Sequence, residues 1–221
     1  MYFLYLETSS KNCSVAISKN KKLISLCEES NSAFRHNEFL HQFIKYALEG
    51  AEILVNELNI ICINKGPGSY TGLRISSSAA KGLCYALNIP LISINSLEIL
   101  IQSALNSEYE YIIPMIYSKN MNVYSAIFNR KGKIIFSTKL INIDKNILIN
   151  FRKKKILIIG NASLDIKKFI LNNSLDFSFI KFLYKEISSA KDMIDIGYRL
   201  FLNKQFESLV NFEPLYLKKF I

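Results

Sequence analysis

No residue of the 221 is tryptophan, four are proline, and histidine occurs twice. That scarcity limits metal chemistry at once. His36 and His41 stand five residues apart, which at about 100° per residue places them roughly 140° apart around a helix, too far round to close on one ion. Cys13, Cys27, Cys62 and Cys84 are widely spaced and contain no C-x-x-C pair, so they read as buried, reduced thiols and not as zinc ligands or a disulfide framework. H-E-x-x-H is missing, which excludes a zinc protease of that type; Ser69 follows a glycine but lacks the G-x-S-x-G elbow of a serine hydrolase. No apolar run approaches the roughly 20 residues needed to cross a bilayer. MYFLYLETSS has no basic leader region and reads as a first strand. A cytoplasmic protein with no membrane partner is expected.

Half of the residues are hydrophobic, and the length allows one large domain or two lobes of about a hundred residues, each able to bury a core. The net charge of +10 is uneven: residues 1–105 carry 9 Lys+Arg against 8 Asp+Glu, residues 106–221 carry 19 against 10. A basic half can be an electrostatic footprint for a nucleic acid. Lys, Ile and Asn are abundant throughout, however, and runs such as Arg152 to Lys155 are commonly solvated loops.

The most informative stretch is 58–87, which reads as a strand, a glycine-rich turn and a long helix. Ile60 to Ile63 is an apolar β-run, Gly66, Gly68 and Gly72 permit a tight bend, and Leu73 to Leu87 holds no proline. Ser76, Ser77, Ala79, Ala80 and Gly82 line one side with small residues, as on a helix built to be packed against. Two nucleotide motifs fail here. A P-loop needs glycine at 71 followed by lysine, and the G-x-G-x-x-G fingerprint needs glycine at the same place; the residue is Thr71. An anion at the helix N-terminus remains open, as does a turn that merely positions the helix.

In chain order, Tyr2 to Leu6, Cys13 to Ser18 and Leu23 to Cys27 are expected strands of an antiparallel meander. A helix over 37–49 follows, with Phe39, Leu40, Phe43, Ile44, Ala47 and Leu48 at helical spacing and Gly50 as a stop. After the glycine turn and its helix come a strand over 90–94 and a helix opening at Asn95 and Glu98 and ending near Leu105. The second half repeats the order: strands over 111–117, 122–128 and 133–137, a helix over 145–151, a strand over 156–159, a helix over 164–171, a strand over 177–183 and a helix over 190–202. Both halves read βββαβαβα, which is an α/β plan.

GPGSYTGLR, then SAAKGL, Tyr85-Ala86-Leu87, Ile89-Pro90 and Ser96-Leu97-Glu98, resembles the signature block of the TsaB (YeaZ) family. These are non-catalytic partner subunits of the bacterial machinery that makes N6-threonylcarbamoyladenosine in tRNA. The resemblance extends to ETSSKNCSVAI near the start and Glu213-Pro214-Leu215-Tyr216-Leu217-Lys218 at the end, with 129–212 matching loosely. It implies the fold of the actin-like ATPase (ASKHA) superfamily: two ribonuclease-H-like lobes, here 1–105 carrying the partner interface and 106–221.

ATP-using members of that superfamily carry an Asp and a glycine in the first hairpin. This chain has Glu7-Thr8-Ser9-Ser10, leaving Thr8, Ser9 and Ser10 as vestigial phosphate contacts without a glycine beside them. TsaB relatives are expected to show a pattern similar to Asp-Ala-Arg-x-Gly-Glu-Val-Tyr in the second lobe. Here it is Tyr117-Ser118-Lys119-Asn120-Met121-Asn122-Val123-Tyr124, without either acid or the glycine, so carboxylate ligands for Mg²⁺ are missing there. The adenosine-side glycine loop is reduced to Gly160-Asn161.

The resemblance therefore implies no catalytic residue, no metal and no cofactor, with nucleotide only at an interface with partner subunits. The expected role is a scaffold that pairs with the catalytic paralogue TsaD, joins the TsaE ATPase in a larger complex, forms a homodimer when alone and meets tRNA indirectly. The expected interface is His36, Phe39, Leu40, Phe43, Ile44 and Ala47 of one helix with Leu73, Arg74, Ser77, Lys81 and Tyr85 of the next. The alternatives are an independent ATPase or phosphotransferase of the same fold, which needs a pair of acids facing the cleft, and a stand-alone tRNA-binding protein, which predicts steep salt dependence.

Overall fold

The computed structural model describes residues 1–30, 36–118, 122–142, 154–172, 179–186 and 188–217, with the side chains of 36–38 outside the description. The chain divides into two compact units, Met1–Ile99 with Ser188–Tyr216 and Leu100–Ile187 with Leu217–Ile221. The first boundary falls near the expected 105/106, but the expected assignment of all of 106–221 to the second lobe is corrected: Ser188–Tyr216 returns to the first unit.

The first unit opens with β1 (Tyr2–Glu7), β2 (Asn12–Lys19) and β3 (Lys22–Ser30), then α1 (His36–Gly50), β4 (Leu58–Gly66), α2 (Tyr70–Leu87), β5 (Leu91–Asn95) and α3 (Ser96–Leu100). Its sheet has the order β3-β2-β1-β4-β5, antiparallel across the meander and parallel from β1 through β4 to β5. Parallel central strands are covered on both faces, so they carry continuous apolar runs and not a polar alternation. In β1, Leu4 and Leu6 face a cluster with Leu40, Ile44 and Ala47 of α1 and Ala80 and Cys84 of α2, while Phe3 and Tyr5 point to the opposite face.

The second face explains the return of the chain. Helix α5 (Ile194–Leu202), preceded by a single 3₁₀ turn (Ala190–Met193), lays Met193, Ile194 and Ile196 over Phe3, Tyr5, Ile60, Cys62, Ile92 and Ile94. Each such side chain taken from water contributes about 1.5–3 kcal/mol. Gly197 is where helix and sheet come closest: a Cβ there would lie 2.8 Å from the Tyr5 ring and 3.0 Å from Cys62 Sγ. The helix expected over 190–202 thus exists, but it serves the first sheet.

The second unit repeats the plan. β6 (Tyr111–Tyr117), β7 (Asn122–Asn129), β8 (Ile134–Asn142), β9 (Ile156–Ile159), α4 (Ser163–Asn172) and β10 (Ile180–Leu183) give a sheet of order β10-β9-β6-β7-β8. Its core joins Ile113, Met115, Val123, Ile156, Ile158, Ile166 and Ile170. The helix expected over 145–151 lies outside the described residues, as do the first two residues of the strand expected over 177–183. Helix α3 stops at Leu100 and is followed by a 3₁₀ turn at Gln102–Ala104, shorter than the expected run to Leu105; Asn95 caps it, its Oδ1 accepting from Leu97 N at 2.8 Å.

A polar latch holds the returning segment to the meander. Glu28 accepts from Ser189 Oγ at 2.5 Å and Ser14 Oγ at 2.9 Å; Ser14 Oγ in turn accepts from Ala190 N at 2.9 Å, and Asn12 Nδ2 donates to Ser188 O at 2.9 Å. Partial burial alone would push the Glu28 carboxyl up, but the hydrogen bonds from Ser189, Ser14 and Asn12 and the nearby Lys191 outweigh it and hold it below the ordinary value. A carboxyl with a depressed folded pKa stabilises the fold above its unfolded pKa of about 4.3, and that contribution disappears as pH falls through the folded value. Glu28→Gln is therefore expected to lower the melting temperature at neutral pH, with the difference from the parent shrinking to nothing under acid conditions; thermal melts across pH measure it, and a pH-independent difference would count against the latch.

Candidate functional site

The site is assembled where β4 ends. At Gly66 the backbone takes φ +100, and at Gly68 a Cβ would lie 2.4 Å from Ser9 O. Only a residue without a side chain lets this turn close on the β1–β2 hairpin. Ser69 N completes the closure, donating to Ser9 O at 2.7 Å, and Ser69 Oγ caps α2 by accepting from Gly72 N at 3.2 Å. The helix thus begins at Tyr70, one turn earlier than the expected Leu73.

Beneath the turn lies a buried polar network. Glu7 Oε1 accepts from Ser9 N at 2.7 Å and Ser9 Oγ at 2.6 Å, and Glu7 Oε2 accepts from Asn64 Nδ2 at 2.5 Å. Asn64 Nδ2 also donates to Ser9 Oγ at 2.9 Å, while Asn64 Oδ1 accepts from Gly66 N at 2.7 Å and Ser96 Oγ at 2.8 Å. Thr8 Oγ1 donates to Gly72 O at 2.8 Å. Complete burial pushes the Glu7 carboxyl up, the bonds from Ser9 and Asn64 pull it part of the way back, and Asp192 adds to the rise. By linkage Glu7 favours the fold most below its unfolded pKa of about 4.3, and that advantage is lost as pH rises through the folded value.

Thr8 and Ser9, expected as vestigial phosphate contacts, are therefore corrected: both are buried and their hydroxyls bond to the protein itself. Ser10 is half-buried and its Oγ accepts from Asn12 N at 3.3 Å. On the second unit, Lys119, Asn120 and Met121 of the altered turn lie outside the described residues. Among the described residues no group of three or more His, Cys, Asp or Glu could hold a metal, and no helix is long and apolar enough to cross a membrane. The four cysteines are free, with burial pushing Cys13 and Cys84 up to about 12.

The expected interface sorts into two sets. Leu40, Ile44, Ala47, Leu73 and Ser77 are all at least 94 % buried, and this part of the expectation is corrected: they lie on the inner stripes of α1 and α2. Phe39 and Phe43 stack at 5.5 Å and are half-buried against the same core. The side chain of His36 lies outside the described residues. Arg74 and Tyr85 do face outward, Tyr85 with 84 % of its surface exposed, and Lys81 is half-buried with its Nζ donating to Phe212 O at 3.2 Å.

Between the outer faces of α1 and α2 runs a groove of about 630 Å³ lined by His41, Arg74, Ile75, Ser78, Ala79, Gly82 and Leu83. Arg74, Ser78 and Gly82 recur at i, i+4, so they form one row. A Cβ at Gly82 would meet nothing within 4 Å; this glycine is not required by the packing of its own unit. The expected interface left out His41, Ser78 and Gly82 because helical periodicity marks the inner stripe more strongly than the outer one; of the small residues expected on one side of α2, Ser76, Ser77 and Ala80 turn inward and Ala79 and Gly82 outward. The small-residue run that includes Ala79 and Gly82 was the available signal.

The family model described as TsaD, tRNA N6-adenosine threonylcarbamoyltransferase, matches residues 30–219. A tRNA threonylcarbamoyladenosine biosynthesis protein TsaB of Buchnera aphidicola subsp. Schizaphis graminum is 34 % identical over 197 residues, 86 % of this chain and 90 % of that protein. Its counterpart in Buchnera aphidicola subsp. Acyrthosiphon pisum is 30 % identical over 86 % of each chain. The crystallised YeaZ from Pseudomonas aeruginosa superposes with a TM-score of 0.81 at 19 % identity, covering 98 % of this chain and 99 % of that one; at that identity the likeness speaks for the fold.

Asn64 is the keystone of the network below the turn. Asn64→Leu removes two donations and two acceptances in a buried place and is expected to cost on the order of 3 kcal/mol, read as a lower denaturation midpoint. Stability unchanged from the parent would refute the role given to this residue.

Proposed function

This chain belongs to the TsaB (YeaZ) family of tRNA threonylcarbamoyladenosine biosynthesis proteins, and on that premise we propose that it is a non-catalytic docking subunit whose outer α1/α2 face seats the catalytic paralogue TsaD. In this reading the complex, assisted by the TsaE ATPase, transfers the threonylcarbamoyl group from its adenylate to the adenosine beside the anticodon, in the cytoplasm. The chain itself forms and breaks no bond. It supplies a rigid surface that stabilises the active arrangement of the transferase, self-associates through the same face when alone, and meets tRNA only through the complex.

The observation that carries the reading is the groove with Gly82 at its floor. A helix can approach another backbone closely where the facing residues are Ser, Ala and Gly, and aromatic or aliphatic groups at the margin supply buried area. Ser78, Ala79 and Gly82 provide the first condition, and Phe43, Leu83 and the exposed Tyr85 the second. The internal use of the Thr8 and Ser9 hydroxyls supports the absence of a catalytic role, since the first hairpin offers these groups to the protein and not to phosphate.

Gly82→Phe is the direct test, because the new side chain enters open space and leaves the packing of its own unit alone. It is expected to keep the parental melting behaviour and to weaken binding to purified TsaD by at least about a hundredfold, or 2.7 kcal/mol, with tRNA modification falling in proportion. A variant that still co-elutes with TsaD and supports modification would overturn the docking face. Independently, titration of the isolated chain with Mg·ATP is expected to give no saturable binding and no turnover; saturable binding with hydrolysis would restore the ATPase alternative.

A further inference from the structure

The net charge of +10 is confined to one of the two units. The first, Met1–Ile99 with Ser188–Tyr216, holds 12 Lys+Arg against 12 Asp+Glu; the second, Leu100–Ile187 with Leu217–Ile221, holds 16 against 6. A preference for lysine acts on the whole chain, and the first unit, which shares it, is balanced. A general compositional bias therefore does not account for the asymmetry. Among the described residues of the second unit, ten are Lys or Arg and four are Asp or Glu, and every one of the ten except Lys185 is exposed.

Strand register gathers several of these cations at one end of the second sheet. Tyr111, which opens β6, pairs with Asn129, which closes β7, and with Ile156, which opens β9; Ile156 pairs in turn with Ile180, which opens β10. Arg130, Lys131 and Lys133 of the β7–β8 turn, Lys154 and Lys155 ahead of β9, and Lys181 stand along that same edge. Strands lie about 4.8 Å apart, so the row is on the order of 20 Å long. The acids among the described residues there are Glu108 and Glu110, and each is engaged: Glu108 with Lys155 at 2.8 Å, Glu110 with Lys154 at 3.1 Å. Those pairs cancel. They also border the hollow of about 340 Å³ next to Arg130 and Lys131, so the hollow is no pocket for a single anion. What remains is the row itself, with Arg130, Lys131, Lys133 and Lys181 in no ion pair among the described residues.

We propose that this edge of the second unit is a footprint for the phosphate backbone of RNA, and that in the assembled complex it touches the tRNA directly. The proposal rests on the docking reading: the transferase recognises the adenosine, and this chain adds charge contacts to an RNA already held. Exposed cations of one sign strung along a line suit a linear array of phosphates, each contact releasing counterions. A few such contacts bind weakly on their own, with a Kd of roughly 10⁻⁴–10⁻⁶ M at physiological salt. Once the RNA is tethered to the complex its effective concentration at this edge rises to about the millimolar range, and the same contacts count. That is why the footprint works only within the complex.

The test titrates unmodified substrate tRNA into the purified complex of this chain with TsaD, between about 50 and 200 mM salt. Arg130→Gln/Lys131→Gln is expected to weaken tRNA binding about tenfold at the low-salt end and to reduce the slope of log affinity against log salt by about two. Arg130→Glu/Lys131→Glu should weaken it further, while melting temperature and affinity for TsaD stay parental in both. Lys19→Gln/Lys22→Gln, which removes the same charge from exposed positions on the first unit, should change none of these. A tRNA without the modifiable adenosine should show the same difference between parent and variant, because phosphates carry no sequence. Parental affinity and slope in Arg130→Gln/Lys131→Gln, or an equal loss in Lys19→Gln/Lys22→Gln, overturns the footprint. Loss of TsaD binding in Arg130→Glu/Lys131→Glu at an unchanged melting temperature makes the edge a protein contact and overturns it as well. If every variant assembles with TsaD and tRNA affinity does not respond, the footprint is wrong and the docking face stands; if the parent forms no complex, both fall.

Discussion

The closure of the glycine turn on the first hairpin governs the rest of the first unit. Ser9 is held from three sides, by Glu7 through its own N–H and hydroxyl, by Asn64, and by Ser69 across the gap that Gly68 leaves. Buried polar groups of this kind are costly unless all are satisfied, and here each is. The consequence is that the hydroxyls of Thr8 and Ser9 are turned inward, and the start of α2 is fixed with little play. A rigid α2 in turn fixes where Arg74, Ser78 and Gly82 stand.

From that constraint follows the division of labour on α2. Its inner stripe, Leu73, Ser76, Ala80 and Cys84, is needed for the core. Its outer stripe is small and open, and its flank is occupied by the returning C-terminal strap through Lys81, Arg74 and Tyr70. The strap closes the free edge of β5, which an exposed strand would otherwise present to other chains, and it brings Glu213 and Tyr216 to the rim of the helical face.

Much of the element order was readable because period and punctuation agree: β1 and β4 carry apolar runs, α1 repeats Leu40, Ile44 and Ala47 at helical spacing, and Gly66 with Pro67 marks the turn. Periodicity misassigned part of the candidate site for the same reason. Leu40, Ile44, Ala47 and Leu73 are conspicuous in the sequence because they are core, whereas Ser78 and Gly82, which line the groove, have side chains too small to register in a hydrophobic pattern. Thr8 and Ser9 were rightly seen as hydroxyls near a turn, but the partners of a hydroxyl are set by residues such as Gly72 and Asn64, far away in the chain.

By itself, then, the order of residues determined the βββαβαβα order of the first unit, the place of the glycine turn and the family, since all of these depend on local propensity, spacing and motif. Only the tertiary structure decided that Ser188–Tyr216 rejoins the first unit and that Arg74 is stacked beside Tyr216 at the edge of a groove. The reason is physical: which face of a helix is buried, and which distant segment covers a sheet, follows from the summed burial of surfaces separated by more than a hundred residues, as with Tyr5 and Ile194 or Lys81 and Phe212, and no local pattern encodes that sum.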